Sequence, residues 1–182
     1  MKIAAPESIT TERLVLRRPN ASDTAAVFEY GRDPEVARYM DWPALTDIRD
    51  AIASTQRALQ SWDSGVEYTW RITVKPDDVP IGACACRVSG HAADLGFVLA
   101  RAHWGKGYAT EAARAVLDWL RTLEGVDRVG ATCDVDNVAS ARLLESVGMQ
   151  LEGTLCAWIL HPNVSDTPRD CLCYAVVKPA HE

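Results

Sequence analysis

The sequence predicts a mixed α/β fold of the α+β kind, in which a mostly antiparallel sheet carries helices on its faces. Three observations point there. Strand-like segments at 67–74, 81–88 and 92–99 follow one another across short turns, the pattern of an antiparallel meander. A strand, a helix and a strand then succeed one another at 92–99, 108–123 and 128–135, and a right-handed crossover of that kind joins two parallel strands. Finally, 182 residues that are 48% hydrophobic and 24% charged suit one soluble domain with a sizeable core, so 1–182 reads as a single domain.

Each element has a local reason. RLVLRRP, at 13–19, opens a strand of alternating polarity that Pro19 stops. Ser22 or Asp23 can cap a helix through Tyr30, and Asp33-Pro34 can start another through Met40, which Trp42-Pro43 breaks. From 46 to 62, Ile48, Ala51, Ile52, Thr55, Leu59 and Trp62 recur at the helical period, and Gly65 offers a left-handed end. Prolines 76 and 80 and Ser89-Gly90 divide the meander. In the helix at 108–123, Ala109, Ala112, Ala113, Val116, Leu120 and Leu123 share one face. A helix at 137–147 ends at Gly148, and strands at 150–161 and 171–177, divided by the turn-rich NVSDTP, finish the chain.

Composition excludes several function classes. A net charge of −6 argues against nucleic acid as a partner, since phosphate binding wants a basic surface. MKIAAPESIT lacks the apolar core of a secretory signal, and no stretch approaches the roughly 18 apolar residues of a membrane span. Cys84, Cys86, Cys133, Cys156, Cys171 and Cys173 fall in strand-like segments as C-x-C pairs and singletons, without metal-ligand spacing. They read as small apolar residues of a reduced, cytoplasmic protein that needs no metal.

The stretch HWGKGYATEA carries the strongest chemical signal. A helix starts with about four backbone N–H groups that lack internal acceptors, and its dipole favours an anion there. Gly105 and Gly107 let the backbone approach a phosphate closely, and Lys106 adds a point charge. No Ser or Thr follows Lys106, so the loop is not of the Walker type; the third glycine of a dinucleotide fingerprint is also missing. A ligand-free tight turn would look the same locally.

DLGFVLARAHWGKGYATEA followed by NVASARLLESVGM resembles the GNAT acetyltransferases, in particular the RimJ/RimL-like branch that acetylates protein N-terminal amines. TERLVLR near the start and RDCLCYAVV near the end extend the likeness over nearly the whole chain. Trp104 stands where the family motif Q/R-x-x-G-x-G/A carries Gln or Arg. The resemblance implies the acyl-CoA N-acyltransferase fold, with strands 92–99 and 128–135 splayed apart to admit the coenzyme's pantetheine arm. It places acetyl-CoA against Phe97, Val98 and Leu99, then along Trp104, Gly105, Lys106, Gly107, Tyr108, Ala109 and Thr110, and beside Asn137 and Ser140. A homodimer follows only by family analogy.

The chemistry asked of such a site is modest. A thiol leaving group has a pKa near 8.5, so its departure unprotonated at pH 7 costs only about 2 kcal/mol. The tyrosine that family members often place four residues before the G-F or G-M pair is Leu144 here. The RimJ/RimL-like pattern instead offers Asn137 and Ser140, one helical turn apart on one face, and the resemblance implies that Asn137 bonds the pantetheine and Ser140 the sulfur; the bland alternatives are Asp136 or Asn137 as a helix cap and Ser140 as a packing residue. Asp94 sits where the family often carries an acidic residue before its L-G-Y/F strand, and a buried carboxylate there would act as the base, through water. At pH 7 an α-amine of pKa ~7.8 is about 14% neutral, against roughly 0.04% for a lysine of pKa ~10.4, so a weak base suits N-terminal or small-molecule amines better.

Other residues read as structural. Glu111 suits a helix's first turn without catalysis, Cys133 lacks a paired base, and His103 reads as an exposed loop residue. Trp42, Tyr68, Trp70, Arg71 and Trp158 are candidates for an acceptor groove, against the commoner role of aromatics as core. The expected activity is acetyl transfer from acetyl-CoA to an amine-bearing acceptor, a peptide N-terminus or a small molecule. A coenzyme-binding module without turnover, or a domain for another phosphorylated ligand, are the alternatives.

Overall fold

Cap and turn chemistry sets most of the boundaries in the computed structural model, which describes residues 3–178. Strands β1 (Ser8–Thr10) and β2 (Leu14–Arg17) form an antiparallel hairpin, and β1 is too short to leave a periodic signal. Asn20, not Ser22 or Asp23, caps the next segment: its Oδ1 accepts from the Ser22 amide at 2.9 Å while Asp23 accepts from the Asn20 amide at 2.8 Å. A 3-10 turn at Ala21–Asp23 then leads into α1 (Thr24–Gly31). Asp33 caps α2 (Pro34–Ala37), which is one turn long and stops short of the expected Met40. Asp47 caps α3 (Ile48–Ser64), and Gly65 closes it at φ 76°.

The meander is present as β3 (Tyr68–Val74), β4 (Pro80–Ser89) and β5 (Ala92–Leu99). Helix α4 (Tyr108–Thr122) crosses to β6 (Arg128–Asp134), and α5 (Val138–Ser146), β7 (Gln150–Ile159) and β8 (Arg169–Val177) complete the described chain. The eight strands form one sheet in the order β1-β2-β3-β4-β5-β6-β8-β7.

All pairings are antiparallel except that of β5 with β6, which is parallel and short. It joins Ala92 to Arg128, Ala93 to Val129 and Asp94 to Gly130, and goes no further. On their outer edges the same strands stay paired along nearly their whole length, β5 with β4 and β6 with β8. The sheet therefore opens into a notch beyond Asp94 and Gly130. Main-chain groups along that notch have lost their ladder partners and must find others.

Helices cover both faces, as adjacent residues of β3 show. The Trp70 ring lies 5.3 Å from Trp119 of α4, whereas the neighbouring Arg71 donates from Nη1 to the Tyr30 hydroxyl of α1 at 3.2 Å. Ala112, Ala113, Val116 and Leu120 of α4 are buried in the main core, joined by an edge-to-face cluster of Trp62, Tyr68, Trp70 and Trp119. Tyr68, Trp70 and Arg71 are thus interior residues and not part of a groove. All six cysteines are free thiols, and four of them (Cys84, Cys86, Cys133 and Cys171) are buried. Among the described residues no helix is long and apolar enough to cross a membrane.

One buried ion pair locks the end of β6. Asp134 is 0% exposed and takes a two-pronged contact from Arg169, 2.6 Å from Nε and 3.0 Å from Nη2; the Asp136 amide adds a third bond at 2.9 Å. Burial pushes this carboxyl up, but the Arg169 guanidinium, the Asp136 amide and nearby His161 outweigh it and hold it below its ordinary value. Asp134→Ala should cost about 1–3 kcal/mol at pH 7 in denaturant unfolding, because Arg169 and the Asp136 amide lose their shared acceptor while Arg169 keeps its pair with Asp136. A carboxyl depressed in the folded state stabilises fully above its unfolded value near ~3.9 and loses that contribution as pH falls further. The penalty of the variant should therefore shrink below about pH 4.

Candidate active site

The glycine loop is built from backbone conformations that side chains resist. Gly105 has φ 73° and Gly107 has φ 77°, both in the left-handed region, and Gly107 is the N-cap of α4. The first hydrogen bond back to the cap comes from the Glu111 amide at 3.0 Å, so the amides of Tyr108, Ala109 and Thr110 have no acceptor within the helix. Space in front of the loop is open. A Cβ built on Gly105 meets nothing within 4 Å, and one on Gly107 meets only the Arg13 side chain at 3.4 Å. Trp104 explains its own departure from the motif: its indole N–H donates to the Leu99 carbonyl at 2.7 Å and pins the loop to the end of β5.

This loop forms one wall of a cleft of about 680 Å³. Phe97, Val98 and Leu99 supply the β5 wall, and Asn137 and Ser140 the α5 wall. Trp104, Gly105, Gly107, Tyr108, Ala109 and Thr110 line the cleft as well. Lys106 does not: it is exposed outside the lining, and its carbonyl accepts from Arg13 Nη1 at 2.9 Å. Asn137 is the N-cap of α5, its Oδ1 accepting from the Ser140 amide at 3.2 Å, which leaves its Nδ2 without a protein partner among the described residues.

A second cavity of about 400 Å³ lies on the other side of the notch, where Asp94, Glu67, Arg87, Cys133, Trp158 and His161 line it. Five residues border both cavities: Tyr39, Met40, Phe97, Asn137 and Ser140. The two spaces therefore share a border to which Ser140 belongs. Asp94 is exposed on β5 opposite Arg87, and not buried as the base role would favour. Leu144, 1% exposed, sits in the core and brings no hydroxyl to the junction. Cys133 is walled by apolar neighbours, and burial pushes its thiol up to about 11, which suits packing and not nucleophilic attack.

Several residues at the site carry no signal in the sequence. Tyr39 and Met40 lie in the turn after α2, and His161 and Asn163 lie in the β7–β8 connection. Asn163 donates to the carbonyls of Ala37 at 2.7 Å and Trp42 at 2.9 Å and accepts from the Ala44 amide at 2.9 Å; His161 Nδ1 lies 3.3 Å from the Met40 carbonyl. These contacts end α2 early and hold Tyr39 and Met40 over the junction. His103 is half-buried in the cleft wall, where burial and Lys106 push its imidazole down and its Nδ1 has no partner. Of the proposed groove aromatics only Trp158 reaches the second cavity, while Trp42 lies outside both linings.

Comparison with known proteins places this architecture. A family model described as an acetyltransferase (GNAT) domain matches residues 13–150. The uncharacterized N-acetyltransferase p20 of Bacillus licheniformis is 34% identical over 152 residues, 82% of this chain and 85% of its own. The uncharacterized N-acetyltransferase YoaA of Bacillus subtilis is 30% identical over 174 residues, 94% of this chain and 97% of its own. Among solved structures, a GNAT-family acetyltransferase from Bacillus anthracis superposes with a TM-score of 0.81 at 26% identity, covering 93% of this chain and 98% of that one. RimL, a ribosomal alpha-N-protein acetyltransferase in complex with coenzyme A, shares the fold at a TM-score of 0.83 and 20% identity, over 96% of this chain and 100% of that one. A glycine-capped helix beside parted parallel strands, with this likeness over nearly its whole length, makes the chain a member of the GNAT family of N-acetyltransferases.

Proposed function

We propose that the larger cleft binds acetyl-CoA and that the smaller cavity admits an amine acceptor, so that the two meet at Ser140 in one ternary complex. The observation that carries this reading is the pair of cavities sharing the notch between β5 and β6. The residues present fit the coenzyme: two left-handed glycines expose main-chain amides, and open space stands before them. Acetyl-CoA supplies an activated acetyl thioester. The amides around Gly105, Gly107, Ala109 and Thr110, with the positive end of α4, bind its diphosphate. The notch-facing edge of β5 at Phe97, beyond its last pairing with β6, offers hydrogen bonds to the pantetheine amides, and Asn137 Nδ2 adds another.

Chemistry at the junction then falls to few groups. Ser140 donates its hydroxyl to the departing sulfur. Asp94, on the acceptor side, takes the amine's proton through water, which its exposure permits. So modest a base suits an acceptor with an appreciable neutral fraction at pH 7, and the reading is therefore a peptide α-amine or a weakly basic small amine. The reducing cytoplasm fits a chain whose six cysteines are all free.

Calorimetry with acetyl-CoA, followed by a turnover screen across amine classes, tests this directly. Binding with turnover on at least one amine class is expected; no binding at tens of micromolar removes the reading, and binding without turnover reduces the domain to a sensor. Gly107→Val should weaken acetyl-CoA at least about tenfold, since a branched residue resists φ 77° there. Ser140→Ala should lower kcat by roughly tenfold with little change in acetyl-CoA affinity, the loss of one hydrogen bond to a developing charge. At pH 7, peptide α-amines should outpace lysine side chains by about two orders of magnitude, and the gap should narrow as pH rises toward 9.

A further inference from the structure

Glu111 places a negative charge in the first turn of α4, beside the amides assigned to a diphosphate. An uncompensated carboxylate there would repel the ligand. The β1–β2 turn answers it. The Thr11 hydroxyl and the Arg13 amide donate to Glu111 Oε1 at 2.6 and 2.9 Å, and the Arg13 guanidinium grips Oε2 through Nε and Nη2, both at 2.7 Å. Burial pushes the Glu111 carboxyl up, but these bonds hold it below its ordinary value, so the carboxylate stays ionised as an anchor.

The same guanidinium reaches the glycine loop itself. Nη1 donates to the Lys106 carbonyl at 2.9 Å, and the guanidinium carbon lies 4.7 Å from the centre of the Tyr108 ring, which lines the cleft. Lys106 C=O and Gly107 N–H belong to one planar trans peptide and point in opposite directions. A donor fixed on the carbonyl side therefore aims the Gly107 amide away from β2.

We infer that Arg13, anchored by Glu111, is a positioning residue for coenzyme binding: it turns the Lys106–Gly107 peptide so that the loop presents N–H groups to the diphosphate. This inference rests on the acetyl-CoA reading of the cleft. It gives the TERL segment of the N-terminal hairpin a task 93 residues distant in sequence from the loop carbonyl it holds. It also makes Glu111 an aid to anion binding despite its charge.

That last consequence sets the test, because positioning and simple charge predict opposite signs. Glu111→Ala removes a negative charge from beside the phosphates but frees Arg13 from its anchor. Dissociation constants for coenzyme A and for pantetheine, which has the thiol arm and no diphosphate, are measured by calorimetry on wild type, Glu111→Ala, Arg13→Gln and Arg13→Lys. Melting temperatures without ligand report folding. Positioning predicts that Glu111→Ala and Arg13→Gln each weaken coenzyme A about tenfold, one charge-assisted hydrogen bond's worth, with pantetheine unchanged. Arg13→Lys does not restore binding, since one ammonium cannot hold the carboxylate and the carbonyl in a planar fork. Tighter coenzyme A binding by Glu111→Ala, or full restoration by Arg13→Lys, overturns the inference in favour of charge alone. Parallel weakening of pantetheine, or no change in any variant, overturns it as well. Wild-type protein that binds neither probe sinks the coenzyme reading, and this inference with it.

Discussion

Two parallel strands that pair for three residues and then part are the constraint on which everything else depends. β4 and β8 hold the outer edges of β5 and β6 almost throughout, so divergence cannot be relieved by unravelling the sheet. The opening is therefore a rigid notch lined by main-chain donors and acceptors. A polar backbone edge without a neighbour strand is ready to bind an extended amide-bearing chain. The lock at Asp134 matters for the same reason. It fixes the end of β6 and, through the Asp136 amide, the approach to the α5 cap where Asn137 and Ser140 begin.

Binding on the two sides of the notch uses different means. In the proposed coenzyme cleft the groups on offer are mainly backbone amides, made accessible by Gly105 and Gly107. In the proposed acceptor cavity they are side chains, some on strands, as Arg87 and Asp94 are, and others on or beside connections, as Met40, Trp158 and His161 are. A scaffold of this kind can keep one cofactor while its acceptor changes, because loops tolerate substitution that a helix cap with positive φ does not. The contact of Asn163 with the 37–44 segment shows how those loops are nonetheless held in register with each other.

Legibility in the sequence followed the range of the interaction responsible. The meander, the crossover helix α4, the caps at Asp33 and Asn137 and the left-handed ends at Gly65 and Gly148 were readable, since each is set by residues within a few positions. β1 leaves no signal because three residues carry no alternation, and the sequence pattern overextends α2 because Asn163, more than a hundred residues away, binds the carbonyl at its end. Tyr68, Trp70 and Arg71 were plausible groove residues by type, and became core by the accident of which face of β3 each occupies. His103 looked exposed in an open loop, yet the fold half-buries it against the cleft.

The sequence by itself determined where most helices and strands begin, that one helix opens on a glycine pair able to receive an anion, and which family the chain resembles. Those are local properties: dihedral preference, period and capping act over one or two turns. Only the tertiary structure decided that β5 and β6 separate after Asp94, that Tyr39 and Met40 stand where two cavities join, and that Arg13 reaches the loop at Lys106. Each of those depends on groups brought together across the sheet, and no spacing along the chain encodes a distance through space.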